Sequence, residues 1–141
     1  MYKKLMVPVD LAHIEVLEPA LQVAADLARL YAAEVCYVGV TSTTPSSVAR
    51  TPEEYQHKLD DFARQRAAEH GCPISARTLS SADPAADLDD LLLQAIGDVG
   101  ADLVVMATHP PKHLGAILPS HGGKIATHTD ISVFLIRPTE G

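Results

Sequence analysis

Three stretches of this 141-residue chain carry side chains able to do chemistry. Asp10 closes the apolar run Leu5-Met6-Val7-Pro8-Val9. Thr108 and His109 close a second run, Gly100 to Ala107, and are followed by Pro110 and Pro111, which cannot continue a sheet. The third stretch, Pro119-Ser120-His121-Gly122-Gly123-Lys124, reads as a helix start with Ser120 as N-cap. Gly122 and Gly123 leave the first N–H groups of that helix unobstructed, and Ser120 adds a hydroxyl. With the helix dipole they make an anion site of the kind that holds phosphate. An ordinary capped helix would use the same residues. Asp10 is likewise open to two uses, a ligand contact or the capping of loop amides.

Other chemistries fit less well. A Walker A loop fails because Ile125 follows Gly123-Lys124 and Leu118 occupies the upstream glycine position. Of His109, His113, His121 and His128, only the first two have metal-ligand spacing. Prolines separate them, and no cysteine or acid lies nearby to complete a site. A Ser120/His109/Asp10 hydrolase triad lacks the strand–elbow that presents a nucleophilic serine.

The elements that position these residues follow from periodicity. Leu5–Val9 is a buried strand, and its Pro8 is tolerable in a central strand only where the ladder is finishing. Ile14, Leu17, Leu21, Ala24, Ala28 and Tyr31 mark one face of a helix. Pro19 places the start of that helix between Glu15 and Glu18, because proline is harmless only in a first turn. Glu34–Val40 is a second strand, and the Ser/Thr/Pro-rich segment from Thr41 to Arg50 is a loop. Thr51-Pro52-Glu53-Glu54 opens a helix as a capping box, with Tyr55, Leu59, Phe62 and Ala63 buried and Gly71 as the stop. Pro73–Leu79 is a weaker, alternating edge strand. Asp83-Pro84 opens a third helix, with Leu88, Leu91, Leu92, Ala95, Ile96 and Val99 as its apolar face, and Gly100 ends it. A buried strand, a loop, the helix at Ser120 and a last strand, Ile131–Ile136, complete the chain.

Alternation of this kind forces parallel pairing with right-handed crossovers. The expected fold is a single α/β domain over 1–141: three layers, a five-stranded parallel sheet in the order 3-2-1-4-5, and helices on both faces. The switch point then falls between strands one and four, bringing Asp10 beside the Ala107–His109 segment. A response regulator shares this order but needs an acid at the end of strand three, where Thr78-Leu79-Ser80-Ser81 stands. A flavodoxin needs a phosphate loop after strand one, and Asp10-Leu11-Ala12-His13-Ile14 is not one.

Val7-Pro8-Val9-Asp10 at one end, and Met106, Thr108, His109, Ser120 and Arg137 at the other, resemble the signature of the universal stress protein family. Three glycines of the family's pattern are replaced, by Ala107, Pro110 and Pro119, and the loop is one residue shorter than its fullest ATP motif. The resemblance implies a Rossmann-like, adenine-nucleotide-binding fold. It places Pro8, Val9, Asp10 and Val40 around adenosine, and Met106, Ala107, Thr108, His109, Ser120, His121 and Gly122 toward the phosphates of ATP or another adenine nucleotide. It also implies a small stress-linked regulator. No acidic pair suited to Mg²⁺ accompanies the loop and no general base is evident beyond His109, so at most slow ATP hydrolysis is expected, with Mg²⁺ only alongside the nucleotide. The replaced glycines imply a weakened phosphate grip. The alternative is a dimeric interaction protein that has lost the ligand.

Composition narrows the partners. Acidic residues outnumber basic ones, 18 to 11, for a net charge of −7, and no Lys/Arg cluster appears, which speaks against nucleic acid. No run has the length of a membrane span, and nothing at the start reads as a signal peptide, so a cytoplasmic location is expected. Cys36 and Cys72 read as reduced, structural thiols. Ile131-Ser132-Val133-Phe134-Leu135-Ile136 is an almost wholly apolar edge strand, which predicts a homodimer through Ile131, Val133 and Leu135. A further protein partner is expected but unspecified.

Overall fold

The computed structural model describes residues 1–108 and 117–137, and over 117–122 the backbone alone. Its elements are β1 (Lys4–Pro8), a 3₁₀ turn (Leu11–His13), α1 (Ile14–Tyr31), β2 (Glu34–Ser42), α2 (Pro52–His70), β3 (Ile74–Ser81), α3 (Pro84–Val99), β4 (Leu103–Ala107), α4 (Ile117–His128) and β5 (Ser132–Ile136).

Local chemistry sets most of these boundaries. The Thr51 hydroxyl accepts from the Glu54 N–H at 3.1 Å, with Pro52 in the first turn, and Gly71 ends α2 at φ 69°. Asp83 caps α3 by accepting from the Ala86 N–H at 3.3 Å, and Gly100 ends it at φ 74°. The Glu54 carboxylate takes the Arg50 N–H at 3.4 Å, so the capping box closes one residue upstream of its usual donor. α1 ends without a glycine. Ala32 adopts the left-handed conformation, φ 54°, so that Ala33 can donate to the Ala28 carbonyl at 2.8 Å.

Three expectations about boundaries are corrected. α1 begins at Ile14, which makes Pro19 its sixth residue rather than a first-turn one. The 3₁₀ turn hands a winding chain directly into the helix, so regular structure starts earlier than the proline alone suggests. β2 and β3 each run two residues further than expected, and their ladder continues to Ser42↔Ser81. α4 begins at Ile117, three residues before Ser120.

The sheet order is β3-β2-β1-β4-β5, every pair is parallel, and helices cover both faces. Alternation along the strands divides the core in two. Leu5, Val7, Val9, Val35, Tyr37, Leu103 and Val105 face α1 and α2. Met6, Cys36, Val38, Val104 and Met106 face α3 and α4, where Ile125 of α4 is fully buried. Cys36 and Cys72 are both buried and unbridged, and burial pushes the Cys72 thiol up. Across the outer layer, Arg66 of α2 holds Glu18 of α1 with its two terminal guanidinium nitrogens and lies 4.8 Å from the centre of the Phe62 ring. No helix among the described residues is long and apolar enough to cross a membrane.

Candidate nucleotide crevice

The sheet parts at one place, and a single proline accounts for it. β1 pairs with β2 as far as Pro8↔Val38, and β4 pairs with β5 as far as Ala107↔Ile136. Between β1 and β4 the ladder stops at Met6↔Val104. Val9 donates its N–H to Val38 at 2.8 Å, on the β2 side, while the Lys4 carbonyl accepts from Asp102 at 2.9 Å, on the β4 side. Alternation therefore turns the Pro8 nitrogen toward β4, and proline has no hydrogen to give. The next rung cannot form. Thr108, on the far side, donates its N–H to the Ile136 carbonyl at 2.9 Å and its hydroxyl to the same oxygen at 3.3 Å. Beyond that rung the two central strands keep only their outer partners, β1 bonded to β2 and β4 to β5.

Asp10 stands at the mouth of this crevice, where the topology reverses. Its Oδ1 accepts from the Ala12 N–H at 3.0 Å and its Oδ2 meets His13 Nδ1 at 2.8 Å. Both side chains are mostly exposed. The hydrogen bond to Asp10, reinforced by its charge, raises the His13 pKa above the ordinary histidine value. Asp10 therefore does cap the turn that follows it, and it does so at the rim of the crevice.

Of the other expected site residues, Val9 and Met106 are buried in the two opposite cores, so their main chain is what they offer at the crevice. Pro8, Ala107 and Thr108 are half-buried along its edges, and Val40 is half-buried one strand away, paired with Leu79. His109 lies outside the described residues, as do His113, Pro110 and Pro111. Ser120, His121 and Gly122 are described only as backbone, inside α4.

That last placement changes the expected anion site. Ser120 is the fourth residue of α4 and does not cap it. The N–H groups of Gly122 and Gly123 fall past the first turn, where the helix's own carbonyls take them. The open donors belong instead to the turn that starts at Ile117, from which Pro119 withholds one. A serine after a proline looks like a cap in sequence. Here the preceding Ile117-Leu118 pair is already helical, which proline permits in a first turn.

Among the described residues no cluster of three or more His, Cys, Asp or Glu could hold a metal ion. His128 turns its Nδ1 back on the Lys124 carbonyl at 2.8 Å. A groove between α3 and the end of α4, lined by Leu93, Ile96, Gly97 and the Thr127–Asp130 segment, opens at the rim where β5 begins, opposite Asp10.

Two residues at the crevice were not singled out by their chemistry in the sequence. Tyr55 of α2 is buried, and its hydroxyl accepts from the Leu11 N–H at 3.2 Å. Its ring packs over Gly39, where a Cβ would stand 2.6 Å from Tyr55 Cε1. A glycine within a strand of apolar residues is the one signal that points to such a close approach.

Residues 1–137 match the sequence profile of the universal stress protein family. Solved structures of the same fold include a universal stress protein in complex with cAMP, 18% identical over 98% of this chain and 99% of its own, TM-score 0.71. Another, from Burkholderia pseudomallei, is 22% identical over 98% of this chain and 97% of its own, also at 0.71. A third, from Arabidopsis thaliana with AMP bound, is 16% identical over 97% and 92%, at 0.69. No curated protein sequence matches the chain significantly. With a profile match over all but its last residues and the family's sheet order, the chain belongs to the universal stress protein family.

Proposed function

We propose that this chain binds an adenine nucleotide in the crevice between β1 and β4 and acts as a binding and regulatory domain. The observation that carries this reading is the parting of the sheet beyond Met6↔Val104, at the switch point and beside Asp10. Pro8, Val9, Asp10 and Val40 form the nucleoside end. Met106, Ala107, Thr108 and His109 lead toward the phosphates, with the start of α4 beyond. That cAMP and AMP occupy two proteins of the same fold supports the choice of ligand.

The phosphate grip is weak in this reading, because Pro119 removes a donor from the first turn of α4 and Gly122 lies beyond it. Most of the affinity then comes from the nucleoside. Calorimetric titration of the purified protein with adenosine, AMP and ATP tests this directly. The expected result is binding of all three within roughly tenfold of one another, a spread of about 1.4 kcal/mol. Failure of all three to bind the folded protein at millimolar concentration would remove the nucleotide reading.

A second reading, assembly through β5, has its own support. Phe134 is 45% exposed and Leu135 38% exposed on that edge strand. Pairing of two such strands about a two-fold axis would bury both side chains and satisfy both edges. A homodimer is compatible with nucleotide binding, and it is the whole function if the ligand is lost.

A further inference from the structure

We propose that Tyr55 is a positioning residue of the crevice, tying the Asp10 turn to α2 so that the Asp10 carboxylate is held at the rim. Its relevance to a ligand rests on the adenine-nucleotide reading above, while the tether itself can be tested without one.

Two contacts make the case. Tyr55 is 4% exposed, yet its hydroxyl lies 3.2 Å from the Leu11 nitrogen, in the first residue of the 3₁₀ turn that Asp10 caps. The ring reaches there because position 39 has no side chain: a Cβ would meet Tyr55 Cε1 at 2.6 Å and its hydroxyl at 3.3 Å. Gly39 directly precedes Val40, so one aromatic residue touches both β2 beside its nucleoside-end residue and the turn after β1. Packing alone would need only the ring. The hydroxyl is the part that spans the two elements, and without it the Leu11 N–H would lose its partner.

The other hydrogen bonds of the Asp10 turn are internal to it: Ala12 N–H to Asp10 Oδ1, His13 N–H to the Asp10 carbonyl at 3.0 Å, and the His13 ring to Oδ2. Leu11 and Ile14 also pack against the core beneath, but that contact is apolar and non-directional. The bond to Tyr55 adds a directional tie from the turn to α2. Burial, with a smaller contribution from the Asp10 charge, raises the pKa of the phenol, so it stays protonated and neutral beside the carboxylate.

The test is Tyr55→Phe, which keeps the ring, beside Leu11→Pro, which deletes the donor from the other side. Asp10 is already extended (φ −106°, ψ 107°), as a residue before proline must be, so the second variant is compatible with the turn. Two readouts need no ligand. The His13 titration, followed by NMR, is expected to move down toward the ordinary histidine value in both variants. The Ala12 amide is expected to exchange with solvent faster, by more than any change in the denaturant stability of the whole chain accounts for. A ring that merely packs would move neither. The third readout is AMP affinity, expected to fall roughly 3- to 10-fold, the range for one hydrogen bond. Adding Tyr55→Phe to Asp10→Asn is expected to cost no more than Asp10→Asn alone. Unchanged His13 titration and Ala12 exchange in both variants overturn the proposal whether or not AMP binds. So does unchanged AMP affinity in a protein that binds AMP. If the unmodified chain takes up no AMP, the nucleotide reading falls, and the two ligand-free readouts still decide the tether.

Discussion

Gln56 and Thr78 are joined along the outer edge of the sheet. The Gln56 side-chain oxygen accepts the Thr78 N–H at 2.8 Å, and its nitrogen donates to the Ala76 carbonyl at 3.2 Å. One amide thereby satisfies two of the outward-facing groups in the middle of β3, the Ala76 carbonyl and the Thr78 N–H, as a neighbouring strand would. Asp60, one turn along α2, accepts from the same nitrogen at 2.9 Å and fixes the orientation of the amide. Replacing Gln56 with leucine removes both edge contacts while keeping a side chain of similar size. We expect a loss of about 1–2 kcal/mol, read from urea denaturation, the scale for two partly exposed hydrogen bonds. An unchanged midpoint would show that water serves those groups equally well.

Gly39→Ala sets a Cβ against the Tyr55 ring at 2.6 Å, with Leu59 at 3.2 Å behind it. Tyr55 and Leu59 are both buried, so neither can move cheaply. Overpacking of this kind costs about 1–3 kcal/mol, visible as a lowered melting temperature. A variant as stable as the parent would mean that the ring has room to slide.

His13 should titrate above 6.5, its ordinary value, because Asp10 bonds and attracts the charged ring. A histidine whose pKa is raised by folding adds stability that is fully present below its unfolded pKa. That stability is lost as pH rises through the folded value. The pair is exposed, so the slope will be shallow. Asp10→Asn should return the NMR titration of His13 toward 6.5 and flatten that slope. A histidine that already titrates at its ordinary value in the unmodified protein would contradict the pairing.

The exposed apolar edge predicts a homodimer. Of the residues expected at its interface, Ile131 and Val133 are half-buried against the α3/α4 core, whereas Leu135 is exposed, as is its neighbour Phe134. Leu135→Lys is therefore the cleaner probe. Sedimentation at micromolar concentration should give a dimer for the parent and a monomer for the variant. A monomeric parent would defeat the proposal.

The sheet order was legible from the strict alternation of strand and helix patterns, and the α2 and α3 boundaries because each rests on contacts a few residues apart. Thr51 with Glu54, Asp83 with Ala86, and the left-handed Gly71 and Gly100 are of this kind. Pro8 was legible as a strand end, but the side it breaks on was not: the ladder runs to Pro8↔Val38 toward β2 and stops at Met6↔Val104 toward β4. What could not be read depends on distant partners. Nothing near Gln56 announces β3, and nothing near Tyr55 announces Leu11, 44 residues away. Ala32 hides its left-handed turn because alanine carries no sign of it. At Ser120 a local signal misled: a good cap residue sits inside a helix that had already started.

The two edges of the sheet therefore have different valences. Gln56 occupies the middle of β3, whereas β5 offers Phe134 and Leu135. A subunit that is sticky on both flanks can add copies indefinitely and grow into a ribbon. One that is sticky on a single flank, meeting its twin across a two-fold axis, consumes its only bonding edge and stops at two. On this view the amide of Gln56 limits growth as well as holding β3. Gln56→Leu should let dimers associate further at high concentration, by the flank that the parent keeps shut.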